Sequence, residues 1–359
     1  MPTLFDPVRI GDLDLPNRII MAPLTRTRAI GGAHIPNELM AEYYVQRASA
    51  GLIFTEATVI SPMGVGYANV PGVWTAEHIE GWRRITDAVH RAGGRIFQQL
   101  WHVGRISHPT LLGGALPVAP SAIAAEGTVK LLRPKQPYPV PRALEEHELP
   151  GIVEEYRNAA RNAQAAGFDG VEVHGANGYL LDQFLQDATN RRDDGFGGSV
   201  ENRAKLLLDV TDAVIGVWGA SRVGVHISPR CDRPGLGDSD PRALFGHVVE
   251  ELARRRIAFI FSREYEDADS LGPDLRSRFS GAWIANELFT RDSAQAAVET
   301  GRADAVAFGR LFIANPDLPA RFRIGAPLNE VNADTVYFGH AAGYTDYAPL
   351  DIDHALPAA

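Results

Sequence analysis

Short apolar segments alternate with longer amphipathic segments along most of the chain. Eight apolar segments have the length and composition of buried strands: 18–24, 51–60, 94–102, 170–175, 222–229, 257–264, 282–287 and 304–310. Between most of them, apolar residues recur at helical spacing. Strands that alternate with helices in this way predict a single (β/α)8 TIM barrel domain over residues 1–359, in preference to an open sheet.

The helical segments carry recognisable start signals. Ser199 is a candidate N-cap for the amphipathic segment 200–218, and Pro241 occupies a first-turn position in another segment. No glycine-rich dinucleotide motif follows the first strand, which argues against a Rossmann domain. We also expect an N-terminal β-hairpin lid near residues 8–16. A long loop after the third strand, 104–142, should lie on the barrel face where active sites form.

The composition and charge of the chain argue against several classes of protein. The net charge of -9 is spread along the chain without a basic block, so no nucleic-acid partner is expected. No segment has the pattern of a signal peptide or a membrane span, so no membrane partner is expected either. The one cysteine, Cys231, permits neither an intrachain disulfide nor a thiolate metal cage. A reducing cytoplasm is therefore the expected location.

Polar and aromatic residues end six of the predicted strands, and in a barrel these ends share one mouth. They are Pro23 and Thr25 at strand 1, Glu56 and Ala57 at strand 2, Gln99, Trp101 and His102 at strand 3, His174, Asn177 and Tyr179 at strand 4, His226 at strand 5, and Gly309 and Arg310 at strand 8. Each alone would be an ordinary packed or hydrogen-bonded core residue. Their concentration at one mouth predicts a site for a small molecule.

The fourth strand end carries the clearest chemistry. His174 and Asn177 can each donate a hydrogen bond to one oxygen atom and so polarise a carbonyl-type ligand. Tyr179 follows two residues later and can deliver a proton nearby. His102 and His108 could suggest a metal, but the residues between them include no third acidic or histidine ligand, and no metal site is expected.

Eight long segments make the chain recognisable. They are "MAPLTR" (21–26), "YYVQRASAGLIFTEAT" (43–58), "QLWHVGRISHP" (99–109), "PRALE" (141–145), "GFDGVEVHGANGYLLDQFL" (167–185), "NRRDDGFGGSVENRAKLLL" (190–208), "DAVAFGRLFIANPDL" (304–318) and "GYTDY" (343–347). Together they resemble the Old Yellow Enzyme family of FMN-dependent ene-reductases, in its bacterial ester- and enone-reductase branch. The resemblance implies an oxidoreductase with FMN and NAD(P)H that reduces the activated C=C bond of an enone, nitro or ester-type small molecule.

The same resemblance implies roles for individual residues. His174 and Asn177 resemble the pair that binds the substrate oxygen, and Tyr179 resembles the proton donor. The residues that resemble cofactor contacts are Pro23, Thr25, Ala57, Gln99, His226, Asn286, Gly309 and Arg310, with the last two near the phosphate. The residues that resemble walls of the substrate pocket are Tyr67, Trp101 and Tyr344.

The chain departs from the family pattern at several positions where the family contacts the flavin. His226 stands where the family has an arginine, and histidine is shorter and only conditionally charged. Glu287 and Leu288 replace a small pair whose backbone approaches the phosphate; glycine there permits positive φ, and a carboxylate repels phosphate. Three further departures lie in a stretch that is glycine-rich in the family: Phe338, His340 and Ala342.

These departures lead us to expect FMN that is weakly held or lost on purification. Two other functions stay open. One is a flavin-free isomerase or cyclase on the same barrel, in which His174 and Asn177 polarise a carbonyl and Tyr179 serves as acid and base. The other is a non-catalytic binder of enone-like ligands, against which the intact Tyr179 argues. A monomer or homodimer is expected.

Overall fold

The computed structural model describes residues 1–230 and 234–350, so Cys231 lies outside the described residues. The strands are β1 (Val8–Ile10), β2 (Leu13–Leu15), β3 (Ile19–Met21), β4 (Leu52–Phe54), β5 (Thr58–Val59), β6 (Ile96–Trp101), β7 (Val118–Ala119), β8 (Arg142–Ala143), β9 (Gly170–Gly175), β10 (Val223–Ile227), β11 (Phe259–Arg263), β12 (Ala282–Asn286) and β13 (Ala305–Phe308). The helices are α1 (Glu38–Val45), α2 (Ala76–Arg91), α3 (Leu149–Ala165), α4 (Leu180–Leu185), α5 (Val200–Trp218), α6 (Pro241–Arg254), α7 (Gly272–Ser277), α8 (Arg291–Glu299), α9 (Arg310–Ala314) and α10 (Leu318–Ile324).

Parallel strands close into a barrel, which confirms the predicted fold. Among the described residues the order around the barrel is β4, β3, β13, β12, β11, β10, β9 and β6, and β6 pairs again with β4 to complete the circle. Each predicted strand segment contains one of these strands. Segment 51–60 is divided, because the chain turns between β4 and the short β5, which also pairs with β6.

The helix start signals act as expected. The Ser199 side chain accepts a hydrogen bond from the backbone N–H of Asn202, which caps α5. Pro241 is the first residue of α6, where its missing N–H costs nothing because that group has no partner within the helix. Among the described residues, none of the helices has the length and apolar character needed to cross a membrane.

The predicted N-terminal hairpin is present and closes the end of the barrel opposite the mouth. Strands β1 and β2 pair antiparallel, with Ile10 opposite Leu13. Ile10 and Leu15 are buried in the same apolar cluster as Phe54 and Phe259 from the barrel strands. The hairpin therefore covers the lower end of the barrel interior, and the strand ends that carry polar residues stay at the other end.

Phenylalanine rings fill the lower barrel and depend on glycines in neighbouring strands. The Phe54 ring lies edge-on to those of Phe97 and Phe261, with centroids 6.1 and 5.6 Å away. Phe259 pairs in register with Gly224 of β10. A Cβ atom at Gly224 would overlap the Phe259 ring, so this glycine is required by close packing.

We predict that Gly224→Ala destabilises the protein by about 1–3 kcal/mol, because the added methyl group forces the Phe259 ring to move within a closed interior. Gly216→Ala is the matched control: a Cβ atom at this position of α5 would meet only open space, and alanine there should stabilise by about 0.5–1 kcal/mol. Chemical denaturation measures both. Equal stability of Gly224→Ala and wild type would show that the barrel interior is loosely packed.

Candidate active site

The barrel interior changes from apolar to polar towards the mouth. Side chains two residues apart on a strand face the same side, so Gln99 and Trp101 follow Phe97 along the interior of β6. In β9, Glu172 is followed in the same way by His174. All of these side chains are buried. The polar side chains therefore form a layer directly above the phenylalanines, at the C-terminal ends of the strands.

The end of β9 brings together the predicted oxygen-binding pair. His174 pairs in register with His226 of β10, and their rings stack at 4.9 Å with an interplanar angle of 17°. Asn177 lies in the turn after β9 with φ 57, and its backbone N–H donates to Ser228 Oγ at 2.8 Å. This hydrogen bond ties the turn to the end of β10 and holds Asn177 beside His174.

Aromatic residues from three segments enclose Tyr179. Its hydroxyl lies 3.1 Å from the hydroxyl of Tyr67, within hydrogen-bond distance. Its ring is perpendicular to Trp101, with centroids 4.9 Å apart, and Trp101 in turn stacks on Tyr67. His174 contacts the Tyr179 ring edge-on at 5.3 Å. The structure thus gathers Tyr67, Trp101, His174 and Tyr179 into one cluster beside Asn177.

Tyr344 lies in a different cluster from these residues. Its ring is fully buried and stacks on Tyr43 at 4.0 Å. The Arg26 guanidinium lies 5.0 Å from the Tyr344 ring centroid and donates to the Gly343 carbonyl. Arg28 donates to several carbonyls of the same C-terminal segment, including that of Val336. These contacts hold the segment against α1, and contact between Tyr344 and a substrate stays a prediction.

A buried carboxyl group that sequence reasoning missed lies below the histidines. Gln99 Nε2 donates to Glu172 Oε2 and lies 3.2 Å from His226 Nδ1. Burial raises the pKa of Glu172 to about 8, and the hydrogen bond from Gln99 opposes that shift. The strand sequence "GVEVHG" contained the signal, because Glu172 precedes His174 by two positions and so shares its inward face.

His226 is neutral in these surroundings. Burial lowers the pKa of its imidazole to about 3, and the nearby charge of Arg263 lowers it further. The contact of 3.6 Å between His226 Nδ1 and Glu172 Oε2 therefore joins an uncharged imidazole to a carboxyl group whose ionisation is also disfavoured. An arginine at this position would carry a permanent charge; His226 carries none at neutral pH.

The other predicted cofactor residues end or follow the four neighbouring strands β4, β3, β13 and β12. Pro23 and Thr25 are half-buried after β3, and Ala57 is buried after β4. Asn286 ends β12, where its Nδ2 donates to the Ala307 carbonyl at 2.8 Å. Gly309 is half-buried and Arg310 is exposed after β13.

The backbone after β12 keeps a conformation that favours glycine although the residues are not glycine. Glu287 has φ 114 and Leu288 has φ 57. His340, in the stretch that is glycine-rich in the family, has φ 53. Such conformations cost side-chain-bearing residues of order 1–3 kcal/mol each, and they persist only where the surrounding structure imposes them. The surrounding structure therefore imposes on these residues a backbone geometry that glycine would adopt without this cost.

Arg263 is a second residue that sequence reasoning missed. It is the last residue of β11 and lies two positions beyond Phe261, so it reaches the mouth from the inward face. Its Nε donates to Glu287 Oε2 at 2.5 Å, and its terminal nitrogen donates to Asn177 Oδ1 at 2.9 Å. Glu287 is therefore the partner of a cation at the mouth. The signal was the arginine next to the last position of the apolar segment 257–264.

A closed parallel barrel with buried polar and aromatic groups at the C-terminal ends of its strands is the architecture of a barrel enzyme. The profile of the NADH:flavin oxidoreductase / NADH oxidase family matches residues 3–329. The chain belongs to this family, in which it groups with the Old Yellow Enzyme homologues. The predicted family, the FMN cofactor and the nicotinamide reductant are thereby confirmed.

Individual relatives agree with this assignment. 12-oxophytodienoate reductase 2 of Arabidopsis thaliana is 42% identical, over 97% of this chain and 96% of its own. The structure of the Old Yellow Enzyme homologue from Zymomonas mobilis superposes with a TM-score of 0.95 at 48% identity, covering 97% of this chain and all (100%) of that one. Morphinone reductase in complex with tetrahydroNAD has a TM-score of 0.94 at 49% identity, with 99% of both chains covered.

The residues at the mouth fit FMN. His226 Nε2 is buried and has no hydrogen-bond partner among the described residues, as expected of a group that faces a ligand. Glu287 and Leu288 have positive φ, a backbone conformation that the small pair expected here from the resemblance would adopt easily. A Cβ at Gly309 would lie 3.2 Å from Leu24 Cδ2, so a side chain at this position would crowd Leu24.

We predict that Glu172→Gln becomes more stable relative to wild type as the pH rises from 5 to 8. The folded-state pKa of Glu172, about 8, is above the ordinary 4.5, so the folded protein binds more protons than the unfolded chain in this range. Wild-type stability from this group is therefore lost as the pH rises, whereas glutamine does not titrate. Chemical denaturation at pH 5 and pH 8 measures the difference.

Glu148→Gln is the control for this experiment. A hydrogen bond from Arg142 lowers the pKa of Glu148 to about 2, so the group is ionised at both pH values. The replacement of Glu148 should therefore change the free energy of unfolding equally at pH 5 and pH 8. If the Glu172→Gln difference is also constant, Glu172 is ionised in the folded protein without penalty.

Proposed function

We propose that this protein reduces the activated C=C bond of a small molecule that carries an enone, nitro or ester-type group. The observation that carries the proposal is the grouping of His174, Asn177 and Tyr179 at the end of β9, under the aromatic cover of Tyr67 and Trp101. Bound FMN, reduced by a nicotinamide cofactor, supplies the hydride chemistry. The chain itself binds the substrate, orients it and provides a proton.

His174 and Asn177 hold the substrate oxygen in this proposal. Each donates a hydrogen bond to that oxygen and draws electron density away from the conjugated double bond. The site is shielded from water on one side by the stacked Trp101 and Tyr67 rings, which strengthens the hydrogen bonds. The substrate thereby becomes electron-poor at its β-carbon before any bond changes.

Tyr179 delivers the proton to the α-carbon of the substrate. The residue is 8% exposed, and its hydroxyl lies within hydrogen-bond distance of the Tyr67 hydroxyl. The Tyr67 contact holds the hydroxyl of Tyr179 within the aromatic cluster, and the Tyr179 ring lies edge-on to that of His174. The position of Tyr179 thus suits a donor that acts on a substrate held by its neighbour.

The cofactor residues in this proposal follow the resemblance. The ring edge of FMN is assigned to Thr25, Gln99 and His226, and its phosphate end to Asn286, Gly309 and Arg310, with Pro23 and Ala57 along the ring. We also propose NADPH or NADH as reductant, a cytoplasmic location based on the single cysteine, and a monomer or homodimer. The substrate is a small molecule with a carbonyl or nitro group.

We predict that Tyr179→Phe slows turnover of an enone about 10²–10⁴-fold with little change in ligand affinity, because only the proton donor is removed. Tyr67→Phe is the matched control. It retains the ring that stacks on Trp101 and removes only the hydroxyl beside Tyr179, so its effect should be much smaller. Steady-state rates and ligand titration measure the two effects. Full activity in Tyr179→Phe would mean that water or another residue supplies the proton.

We predict that FMN is weakly held and that His226→Arg strengthens its binding about ten- to a hundredfold. A charge-assisted hydrogen bond from arginine contributes roughly 1.5–3 kcal/mol, and each 1.4 kcal/mol is tenfold in affinity. The new charge would also gain a partner in Glu172, which lies beside position 226. The absorption spectrum after dialysis measures how much FMN is retained, and fluorescence titration of the flavin-stripped protein gives the dissociation constant. His147→Arg is the control, because it adds the same charge at an exposed position and should leave FMN binding unchanged.

The outcome separates the candidate functions. If wild type keeps stoichiometric FMN through dialysis and His226→Arg gains nothing, the departures at the flavin site have no energetic consequence. If wild type carries none and converts a substrate without a nicotinamide cofactor in a Tyr179-dependent reaction, the flavin-free isomerase or cyclase is correct.

A further inference from the structure

Three residues from separate segments form a bridge at the barrel mouth. Arg263 at the end of β11 donates from Nε to Glu287, just after β12, and from a terminal nitrogen to Asn177 Oδ1, after β9. The side chains of Arg263 and Glu287 are 30% and 28% exposed. The bridge therefore spans the mouth in partial shelter from water, where charged hydrogen bonds are stronger than at an open surface.

The bridge determines which way the Asn177 carboxamide points. A guanidinium group carries only donors, so it can bond the carboxamide oxygen but not the amide nitrogen. With Oδ1 directed at Arg263, the Nδ2 group of Asn177 is directed away from it and presents donors. A substrate oxygen needs donors, and the reverse orientation would present it with another oxygen.

Glu287 keeps the guanidinium in place for this contact. Its carboxylate binds Nε, so two nitrogens of one planar group are occupied by two different partners. Glu287 follows β12 with φ 114, and its carboxylate reaches Arg263 at the mouth. Without this anchor, the long Arg263 side chain would regain rotamer freedom, and its contact with Asn177 would be populated less.

We propose that Arg263 is a positioning residue of the substrate site, which acts through Asn177 by holding its carboxamide as a donor to the substrate oxygen, with Glu287 as its anchor. The inference rests on the proposed function, in which Asn177 binds that oxygen. It adds a role for Arg263 and for the Glu287 departure, neither of which follows from the family resemblance.

The test is a double-mutant cycle on the binding of 4-nitrophenol, whose oxygen mimics the substrate oxygen. Dissociation constants are measured by titration for wild type, Arg263→Met, Asn177→Ala and the double variant. We expect Arg263→Met to weaken binding about tenfold in the wild-type background and less than about twofold in the Asn177→Ala background. Equal effects in both backgrounds would overturn the proposal, because Arg263 would then act independently of Asn177.

Further variants separate positioning from a general structural effect. Arg263→Lys keeps a donor for Asn177 Oδ1 and should recover most of the affinity, and Glu287→Gln should weaken binding less than Arg263→Met. Arg276→Met is the matched control: Arg276 is also half-buried and ion-paired, to Asp304, away from the mouth, and its loss should leave the affinity unchanged. Failure of Arg263→Lys to recover any affinity also counts against the proposal.

The cycle also distinguishes failure of this inference from failure of the proposed function. If His174→Ala and Asn177→Ala each leave the dissociation constant unchanged, the oxygen does not bind at this pair and the proposed site is wrong. If both weaken binding while Arg263→Met does not, the site is correct and Arg263 has no positioning role.

Discussion

Closure of the parallel barrel is the constraint on which the rest of this structure depends. Closure brings the C-terminal ends of all the barrel strands to one mouth. Because side chains alternate along a strand, every second side chain faces the shared interior. Phe97 and Phe259 fill the lower part and exclude water from it. Polar groups directly above them, such as Gln99 and Glu172, are thereby buried and must bond to each other or to a ligand.

The electrostatics of the mouth follow from this burial. His226 and Glu172 are adjacent and buried, and burial disfavours the charged form of each. The positive charge at the mouth is instead on Arg263, one strand further round the barrel, with Glu287 as its partner. The neutral His226 and the acidic Glu287 are therefore connected through Arg263, whose charge contributes to the lowered pKa of His226. These two departures from the family pattern, His226 and Glu287, therefore belong to one charge arrangement.

Three non-glycine residues near the mouth have backbone conformations that favour glycine. Glu287, Leu288 and His340 adopt left-handed conformations at a cost that glycine would avoid. At His340 the structure shows what imposes the conformation, since Arg28 donates to its carbonyl and to those of neighbouring residues. After β12, the strand register places Asn286 opposite Arg263 and so sets where the following turn begins.

The sequence by itself determined the barrel and the family, and it predicted the core of the site. Alternating apolar segments are sufficient for the barrel, because strand and helix periods are local properties. His174, Asn177 and Tyr179 could be found because they follow one strand within a few residues. Tertiary structure decided which distant groups meet there. Asn177 and Arg263 are 86 positions apart, and Tyr344 stacks on Tyr43 beside α1. Such contacts depend on barrel closure and side-chain direction, which no local pattern of residues encodes.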